Sequence, residues 1–210
     1  MNLHRNIFLF ILLITTIPLH ADYGFSQSID HDNNDVKTLS NGKGSNGGYG
    51  AISVGYSRID ENSSIIGGFK GGWTVNHSLT IGGAIYGFYN SQSHLGDFIN
   101  SGMGGGYAGL LLEPVLGGTQ TVHISVPLII GGGGATKYAY DPYTYTTYFI
   151  FVPGVELEIN ITNLFRIALG VDYRLTPGLT WKTVENIPIK SGDKLLNGFS
   201  FHLVFKFGKL

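Results

Sequence analysis

The sequence has 210 residues, of which 43% are hydrophobic, 13% aromatic and only 13% charged, with 32 glycines and no cysteine. Soluble domains usually have about 25% charged residues, so this composition argues against an ordinary soluble protein. The absence of cysteine excludes disulfides, thiolate metal sites and cysteine nucleophiles. A formal net charge of −1 gives no electrostatic basis for a nucleic-acid partner.

The first 21 residues have the features of an export signal. Arg5 lies in a short polar segment, and the apolar run Ile7–Ile17 that follows is interrupted only by two threonines. This run is shorter than the roughly 20 residues that a membrane-spanning helix needs, and Ala21 offers a small residue at a cleavage point. We therefore expect a signal peptide over residues 1–21.

A polar segment separates this signal from the rest of the chain. Residues 22–47 are rich in Asn, Asp, Ser and Gly and show no sustained hydrophobic period. Such a segment cannot bury enough apolar surface to fold by itself, so we predict a flexible polar leader. From residue 48 the pattern changes to alternating segments of about ten residues that are separated by turn signals, which is typical of transmembrane β-barrels.

Eight such segments follow one another over residues 48–210. Large apolar side chains occupy one parity and small or polar side chains the other, as a strand with two different faces requires. The predicted strands are Tyr49–Arg58, Ile65–Val75, Ser78–Asn90, Gly105–Val115, Thr121–Gly132, Tyr148–Ile159, Leu164–Leu175 and Gly198–Leu210. Tight turns mostly alternate with longer loops, which predicts an all-β, eight-stranded antiparallel up-and-down transmembrane β-barrel.

Two prolines fall inside predicted strands of this barrel. Pro127 lies in the fifth strand and Pro153 in the sixth. Because proline cannot donate a hydrogen bond to a ladder, we expect either bulges or a local weak seam between these two strands.

Alternation alone leaves two architectures open. In a secreted, lipocalin-like ligand carrier the apolar face points inward, whereas in a membrane barrel it meets lipid. The polar faces of the first and third strands carry almost no charge, which favours the membrane barrel. Aromatic residues near strand ends predict two interfacial girdles. They are Tyr49, Tyr56, Trp73, Tyr89, Tyr107, Tyr148, Phe149, Phe165, Tyr173, Phe199 and Phe207.

The export signal, the glycine-rich strands and the last strand, GFSFHLVFKFGKL, resemble the small outer-membrane β-barrels of Gram-negative bacteria, of the outer-membrane protein A and X type. The segments GGYGAISVGYSRI and FVPGVELEINITNLFRIALGVDYR resemble small barrels of Bacteroidota-type bacteria. The resemblance implies the barrel fold, an outer-membrane location, contact with outer-membrane lipid and insertion by the barrel-insertion machinery. It implies no activity, because its motifs are structural patterns.

If the apolar face meets lipid, the polar face fills the lumen, and eight strands leave room for side chains rather than for an open pore. The predicted lumen residues are Lys70, Glu113, His123, Glu156, Glu158, Arg166, Asp172, Arg174, His202 and Lys206. Buried charges must be paired, so we predict an ion-pair network in the lumen. The network joins Glu156 and Glu158 to Arg166, Arg174 and Lys206. The alternative is a gated ion path along the same side chains.

One group of residues raises the alternative of an enzyme that modifies outer-membrane lipid. His123 and Ser125 share the polar face, and Glu113 lies across a tight turn from them. A base, a nucleophile and an orienting carboxylate are the parts of acyl transfer, and the His-x-Ser pair is similar to that of lipid A deacylase barrels. Lipid hydrolysis needs access from the bilayer, however, whereas this pair faces the lumen. We therefore predict a non-catalytic protein with no catalytic, cofactor or metal site.

The tyrosine-rich loop over residues 136–147 is the predicted contact for a surface ligand. Tyrosine provides amphipathic contact area at a low cost in conformational entropy. The alternative is an aromatic belt at the membrane interface. Together these patterns predict a structural or surface-interaction role in the outer membrane.

Overall fold

The computed structural model describes residues 47–59, 62–92, 101–138, 144–183, 188–189 and 195–209. The predicted signal peptide, and the predicted leader up to residue 46, lie outside these residues. Gly47, predicted to be the last residue of the leader, belongs to the first strand because it pairs with Thr74.

The described residues form β-strands and no helix. The strands are β1 (Gly47–Ile59), β2 (Asn62–Val75), β3 (Leu79–Gln92), β4 (Ser101–Leu116), β5 (Val122–Ser125), β6 (Leu128–Tyr138), β7 (Thr144–Asn160), β8 (Phe165–Arg174), β9 (Trp181–Thr183), β10 (Pro188–Ile189) and β11 (Gly198–Lys209). Antiparallel pairing runs from β1 through β2, β3, β4, the collinear β5 and β6, β7 and β8 to β11, and β11 pairs back with β1. The predicted eight-stranded barrel is therefore confirmed.

The fifth predicted strand is divided into β5 and β6 at Val126–Pro127. As this strand advances from Ser125 to Leu128, its partner on β7 changes from Glu156 to Pro153, so both strands advance by three residues. No residue is inserted, and the prolines do not mark a bulge. They mark a seam at which the proline nitrogens donate no ladder hydrogen bond, while the N–H of Gly154 still donates to the carbonyl of Pro127 over 2.8 Å and the register is kept.

Three tight turns lie at one end of the ring, which we call the tight-turn end. They join β2 to β3, β4 to β5 and β7 to β8. Asn76 and His77 adopt φ values of 52° and 54°, and Gly117 adopts 75°. Two successive positive φ values, with the N–H of Ser78 donating to the carbonyl of Val75 over 3.0 Å, are those of a type I′ turn, whose twist matches that of the flanking strands of a hairpin. The connections β3–β4, β6–β7 and β8–β11 leave from the opposite, long-loop end.

Two predicted loops at the long-loop end are shorter than expected. β6 and β7 continue the sheet as far as the pair Lys137 and Thr144, because tyrosine and threonine are good strand residues. The predicted tyrosine-rich loop is therefore mostly strand, and only residues 139–143 of it lie outside the described chain. The connection over residues 176–197, between the seventh and eighth predicted strands, contains β9, which pairs with β7, and β10, which pairs with β9.

Glycines make room for aromatic rings inside the ring of strands. Gly133 faces the lumen, and a Cβ there would lie 2.7 Å from the ring of Tyr148. Gly132 faces outward, and a Cβ there would meet no atom closer than 3.4 Å. The run of glycines from residue 131 to 134 thus has a steric reason on the inner face that is absent at Gly132 on the outer face.

Candidate functional site in the lumen

Charged side chains from five strands converge inside the ring near the tight-turn end. We call them the charged cluster; its members are Lys70 on β2, Glu113 on β4, Glu156 and Glu158 on β7, Arg166 on β8 and Lys206 on β11. Each member is at most 5% exposed. Strand alternation explains the shared direction, since all six lie on the inward parity of their strands.

Lys206 lies at the centre of the charged cluster. Its Nζ is 2.8 Å from an oxygen of Glu113, 2.9 Å from an oxygen of Glu156 and 2.5 Å from an oxygen of Glu158. A lysine ammonium has three protons, so each of the three carboxylates can accept one of them. Lys206 therefore joins β11 to β4 and β7 across the lumen.

Lys70 completes the same cluster from β2, which is separated from β11 only by β1. Its Nζ lies 2.7 Å from Glu113 and 2.6 Å from Glu156. The hydroxyl of Tyr49 donates a further hydrogen bond of 2.8 Å to Glu113. Three carboxylates thus face three cations, so that the charged cluster is formally neutral and its members compensate one another's loss of hydration.

Arg166 and His123 lie at the edge of the charged cluster. Arg166 Nη1 is 3.4 Å from Glu158, and His123 Nε2 is 3.3 Å from the same carboxylate. The predicted proximity of Arg166 to Glu158 is confirmed, because Arg166 is diagonal to Glu158 across the β7–β8 ladder. Lys70 was placed in the lumen from its parity but was not assigned to the network.

The prediction that Arg174 belongs to this network is wrong. Its guanidinium donates to the carbonyl of Leu196 over 2.8 Å and to the hydroxyls of Ser57 and Ser200 over 3.0 and 3.3 Å. Arg174 lies eight residues from Arg166 along β8, which is roughly 26 Å at the rise of a strand. It therefore lies in the opposite half of the lumen.

Apart from Arg174, which lies over the ring of Phe88, that opposite half is filled mainly by apolar side chains, and the β8–β11 connection closes it. Leu179, Trp181 and Leu196 from this connection are at most 2% exposed. They pack against inward-facing residues of the ring, including Phe88 and Tyr107, in one continuous cluster. We call the three connection residues together with the ring residues that they contact the cap cluster.

The outer surface of the ring has the opposite composition. Ile65 is 75% exposed, and Phe69, Leu110 and Leu169 are more than half exposed. Lys206, by contrast, is fully buried in the lumen. Charged groups inside and large apolar groups outside are the arrangement of a barrel whose exterior meets hydrocarbon. In the described chain, no helix is long and apolar enough to cross a membrane.

Three of the aromatic residues that were predicted to form outer girdles face the lumen instead. Tyr49, Tyr107 and Tyr148 are at most 6% exposed. The hydroxyl of Tyr148 donates to the carbonyl of Gly106 over 3.0 Å. Their parity places them with the polar side chains of their strands. Others that were assigned to the girdles, Tyr56, Trp73, Tyr89, Phe149, Phe199 and Phe207, are exposed on the outer face.

The fold is similar to that of a solved bacterial outer-membrane barrel. Neisserial surface protein A superposes with a TM-score of 0.52 at 10% identity, covering 78% of this chain and 96% of that protein. The chain has the fold of a small outer-membrane β-barrel. Ail, the attachment invasion locus protein of Yersinia pestis, gives a TM-score of 0.49 at 12% identity over 79% and 99% of the two chains. A major outer membrane protein of Thermus thermophilus gives 0.48 at 8% identity over 78% and 99%. No family model and no curated protein matches the sequence.

In this small outer-membrane barrel fold, the three residues of the enzyme alternative, His123, Ser125 and Glu113, form contacts with other side chains and not with one another. The hydroxyl of Ser125 points to Glu156 at 3.4 Å, and His123 contacts Glu158. Glu113 binds two lysines of the charged cluster. The described geometry therefore gives no relay from a carboxylate through the histidine to the serine, as acyl transfer requires.

A second polar arrangement was not recognised in the sequence. Nδ1 of His202 lies 3.1 Å from the hydroxyl of Ser53, and Nε2 lies 2.7 Å from a carboxylate oxygen of Asp172. Ser53 is only 1% exposed, so this chain of side chains braces β1, β11 and β8 within the barrel. Its members are far apart in sequence, and only the register of the closed ring brings them together.

The charged cluster also contains the only grouping of acidic side chains in the described chain that is close enough to hold a metal ion. Oxygens of Glu113, Glu156 and Glu158 lie within 4.8 Å of one another. The ammonium groups of Lys70 and Lys206 already lie between these oxygens. The arrangement is that of an ion-pair network in which lysines take the positions that a cation would need.

Proposed function

We propose that this chain is an integral outer-membrane protein with a structural or surface-interaction role and without catalysis. The inverted distribution of its side chains carries this proposal. Large apolar residues cover the outer wall, and charged residues are buried within it. A soluble lipocalin-like carrier needs the reverse, with apolar side chains around a ligand and charges in water.

The closed lumen supports a structural role over an ion path. At the tight-turn end the charged cluster spans the interior, and each of its cations lies within 3.4 Å of a carboxylate. At the long-loop end, Trp181 and Leu196 are almost completely buried within the cap cluster. Side chains that fill both halves are expected for eight strands, whose interior is just wide enough for them.

A charge placed on the outer wall tests the membrane proposal. Leu169 is 64% exposed at the middle of β8. Against lipid, Leu169→Arg costs about 2–4 kcal/mol in the free energy of folding, whereas in water an exposed arginine is nearly neutral. We expect Leu169→Arg to reduce the amount of heat-modifiable barrel in the membrane fraction of a Gram-negative host.

The matched control is Gln120→Arg, which adds the same charge to an exposed residue of the turn between β4 and β5. We expect this variant to reach the membrane in the amount seen for the unmodified chain. Recovery of the unmodified chain in the soluble fraction without detergent would contradict the proposal, as would equal assembly of the two variants.

The surface role is proposed for the long-loop end, at the hairpin of β6 and β7. This hairpin carries the tyrosine-rich segment, and Tyr145 is 37% exposed near its tip. Tyrosine side chains of this kind offer amphipathic contact area to a partner at the surface.

Replacing residues 139–143 with a glycine–serine segment of equal length tests this role. We expect weaker attachment of cells to protein-coated surfaces or altered phage sensitivity, with unchanged heat-modifiable migration. The control replaces residues 93–97 of the neighbouring long connection in the same way. No change in either readout, or the same change in both variants, argues against a contact at this hairpin.

A further inference from the structure

A polar cavity opens at the tight-turn end of the barrel, below the charged cluster. It has a volume of about 490 Å³ and is lined by residues of the three tight turns and by residues at the ends of β7, β8 and β11, among them His77, Thr119, Thr162, Arg166 and Lys209. We call it the turn-end cavity. Its size lies within the range of roughly 300–1,000 Å³ that is usual for small-molecule sites.

The lining of the turn-end cavity is cationic. Lys209 contributes a positive charge, Arg166 contributes the edge of its guanidinium that does not face Glu158, and none of the described residues that line the cavity carries a carboxylate. The hydroxyl of Thr162 accepts hydrogen bonds from the backbone N–H groups of Leu164 and Phe165 over 3.2 and 3.0 Å. Its own proton takes no part in these two bonds and can be donated to a ligand. The cavity thus offers donors and positive charge, which suit an anion.

Arg166 supplies a second, independent indication of a ligand. This side chain is 3% exposed, and its Nη1 is directed to Glu158 at 3.4 Å. Its Nη2 is buried and has no hydrogen-bond partner among the described residues. Leaving an ionised donor buried and unpaired is costly, and an acceptor in the adjoining cavity would remove that cost.

The backbone elements that border the cavity are packed closely against one another. Gly118 lines the cavity, and a Cβ at this position would clash with the carbonyl of His77 on the neighbouring turn. The N–H of Gly208 donates to the carbonyl of Leu164 over 2.9 Å. This bond holds the end of β11, including Lys209, beside the turn between β7 and β8. The two cations of the cavity are therefore fixed to neighbouring elements.

We propose that the turn-end cavity binds a phosphate-type oxyanion between the guanidinium of Arg166 and the ammonium of Lys209. A guanidinium edge and an ammonium complement the several acceptor oxygens of a phosphate group. Glu158 acts as a positioning residue, because it holds the other edge of the guanidinium. The phosphate group belongs either to a free anion or to the headgroup of a phospholipid at this end of the barrel.

The test is an NMR titration of the full chain in maltoside micelles with inorganic phosphate, at constant ionic strength maintained with sodium chloride. We expect saturable shifts of the amide resonances of Gly118, Thr162 and Lys209. Lys209→Gln should raise the Kd about tenfold, the loss expected for one hydrogen bond between charged groups. Because Lys209 is exposed, this variant keeps the fold.

The matched control is Lys182→Gln, which removes an exposed lysine at the long-loop end. It should leave the Kd for phosphate unchanged. Equal weakening by both variants would show general attraction to a cationic protein, and the absence of saturable shifts would likewise overturn the site. A parallel titration with soluble short-chain phosphatidylglycerol identifies the source: tighter binding of the lipid assigns a headgroup, and tighter binding of phosphate assigns the free anion.

Discussion

The lumen is filled by charge at its tight-turn end and by apolar side chains at its long-loop end. The charged cluster draws its members only from strands of the ring, and Lys206 reaches three carboxylates within 2.9 Å. The cap cluster depends instead on a connection that folds inward, with Trp181 and Leu196 as its central residues. The same narrow interior is thus closed in two physically different ways.

The difference predicts two kinds of sensitivity. Removal of one member of the charged cluster leaves its partners buried without compensation, so that the loss exceeds the value of the contact itself. Removal of an apolar side chain from the cap cluster leaves a cavity but no unpaired charge. The loss of stability caused by a substitution should therefore differ between the two halves. It should also depend more strongly on the partner residues in the charged cluster than in the cap cluster.

The largest effect is expected for Lys206→Met. Methionine is of similar length but leaves Glu113, Glu156 and Glu158 with too few cations, and loss of one partner of a buried ion pair costs about 3–5 kcal/mol. We expect a loss of this size in the free energy of unfolding by guanidinium in lipid vesicles, followed by heat-modifiable gel migration.

Lys182→Met is the control for Lys206→Met, because Lys182 is exposed on β9. Its effect should stay within about 0.5 kcal/mol. If Lys206→Met were as stable as the unmodified chain, the carboxylates would not depend on Lys206, and the charged cluster would not act as a network.

A smaller effect is expected for Leu196→Ala in the apolar half. Leu196 is fully buried, and its truncation should cost about 3 kcal/mol because the transfer free energy is lost and a cavity remains. Leu169→Ala makes the same truncation on the outer wall, where lipid fills the space, so that only the transfer free energy of about 2 kcal/mol is lost. Guanidinium unfolding in vesicles measures both. Equal losses would mean that the cap cluster is not tightly packed.

The comparison of the two halves also explains how far the sequence could predict the structure. Strand alternation has a period of two, so parity alone places Glu156, Glu158 and Lys206 in the lumen. The break at Pro127 keeps the register, and the parity of the fifth strand is therefore preserved on both sides. Tyr49 and Tyr148 were assigned to the outer girdles from their position near strand ends, although their parity is that of the lumen.

The remaining features depend on distances that periodicity does not contain. Lys70 meets Glu156 only because the ring closes with a particular stagger of its strands. Trp181 and Leu196 lie in a connection without alternation, so nothing in the sequence indicates that they fold into the lumen. The separation of Arg174 from the charged cluster, by contrast, follows from its eight-residue distance from Arg166 along one strand.

The smallest effect on stability is expected for substitutions at two adjacent glycines, which test how closely the aromatic rings of the apolar half are packed. Gly133→Ala would bring a Cβ against the ring of Tyr148 and the carbonyl of Gly106, and overpacking of this kind costs about 1–2 kcal/mol. Gly132→Ala projects outward, where its Cβ would meet only the carbonyl of Tyr148 at 3.4 Å, and should be neutral or slightly stabilising, because alanine restricts the unfolded chain. The same unfolding assay compares the two variants. Equal stabilities would show that Tyr148 moves freely, and that the apolar half of the lumen is not close-packed at this level.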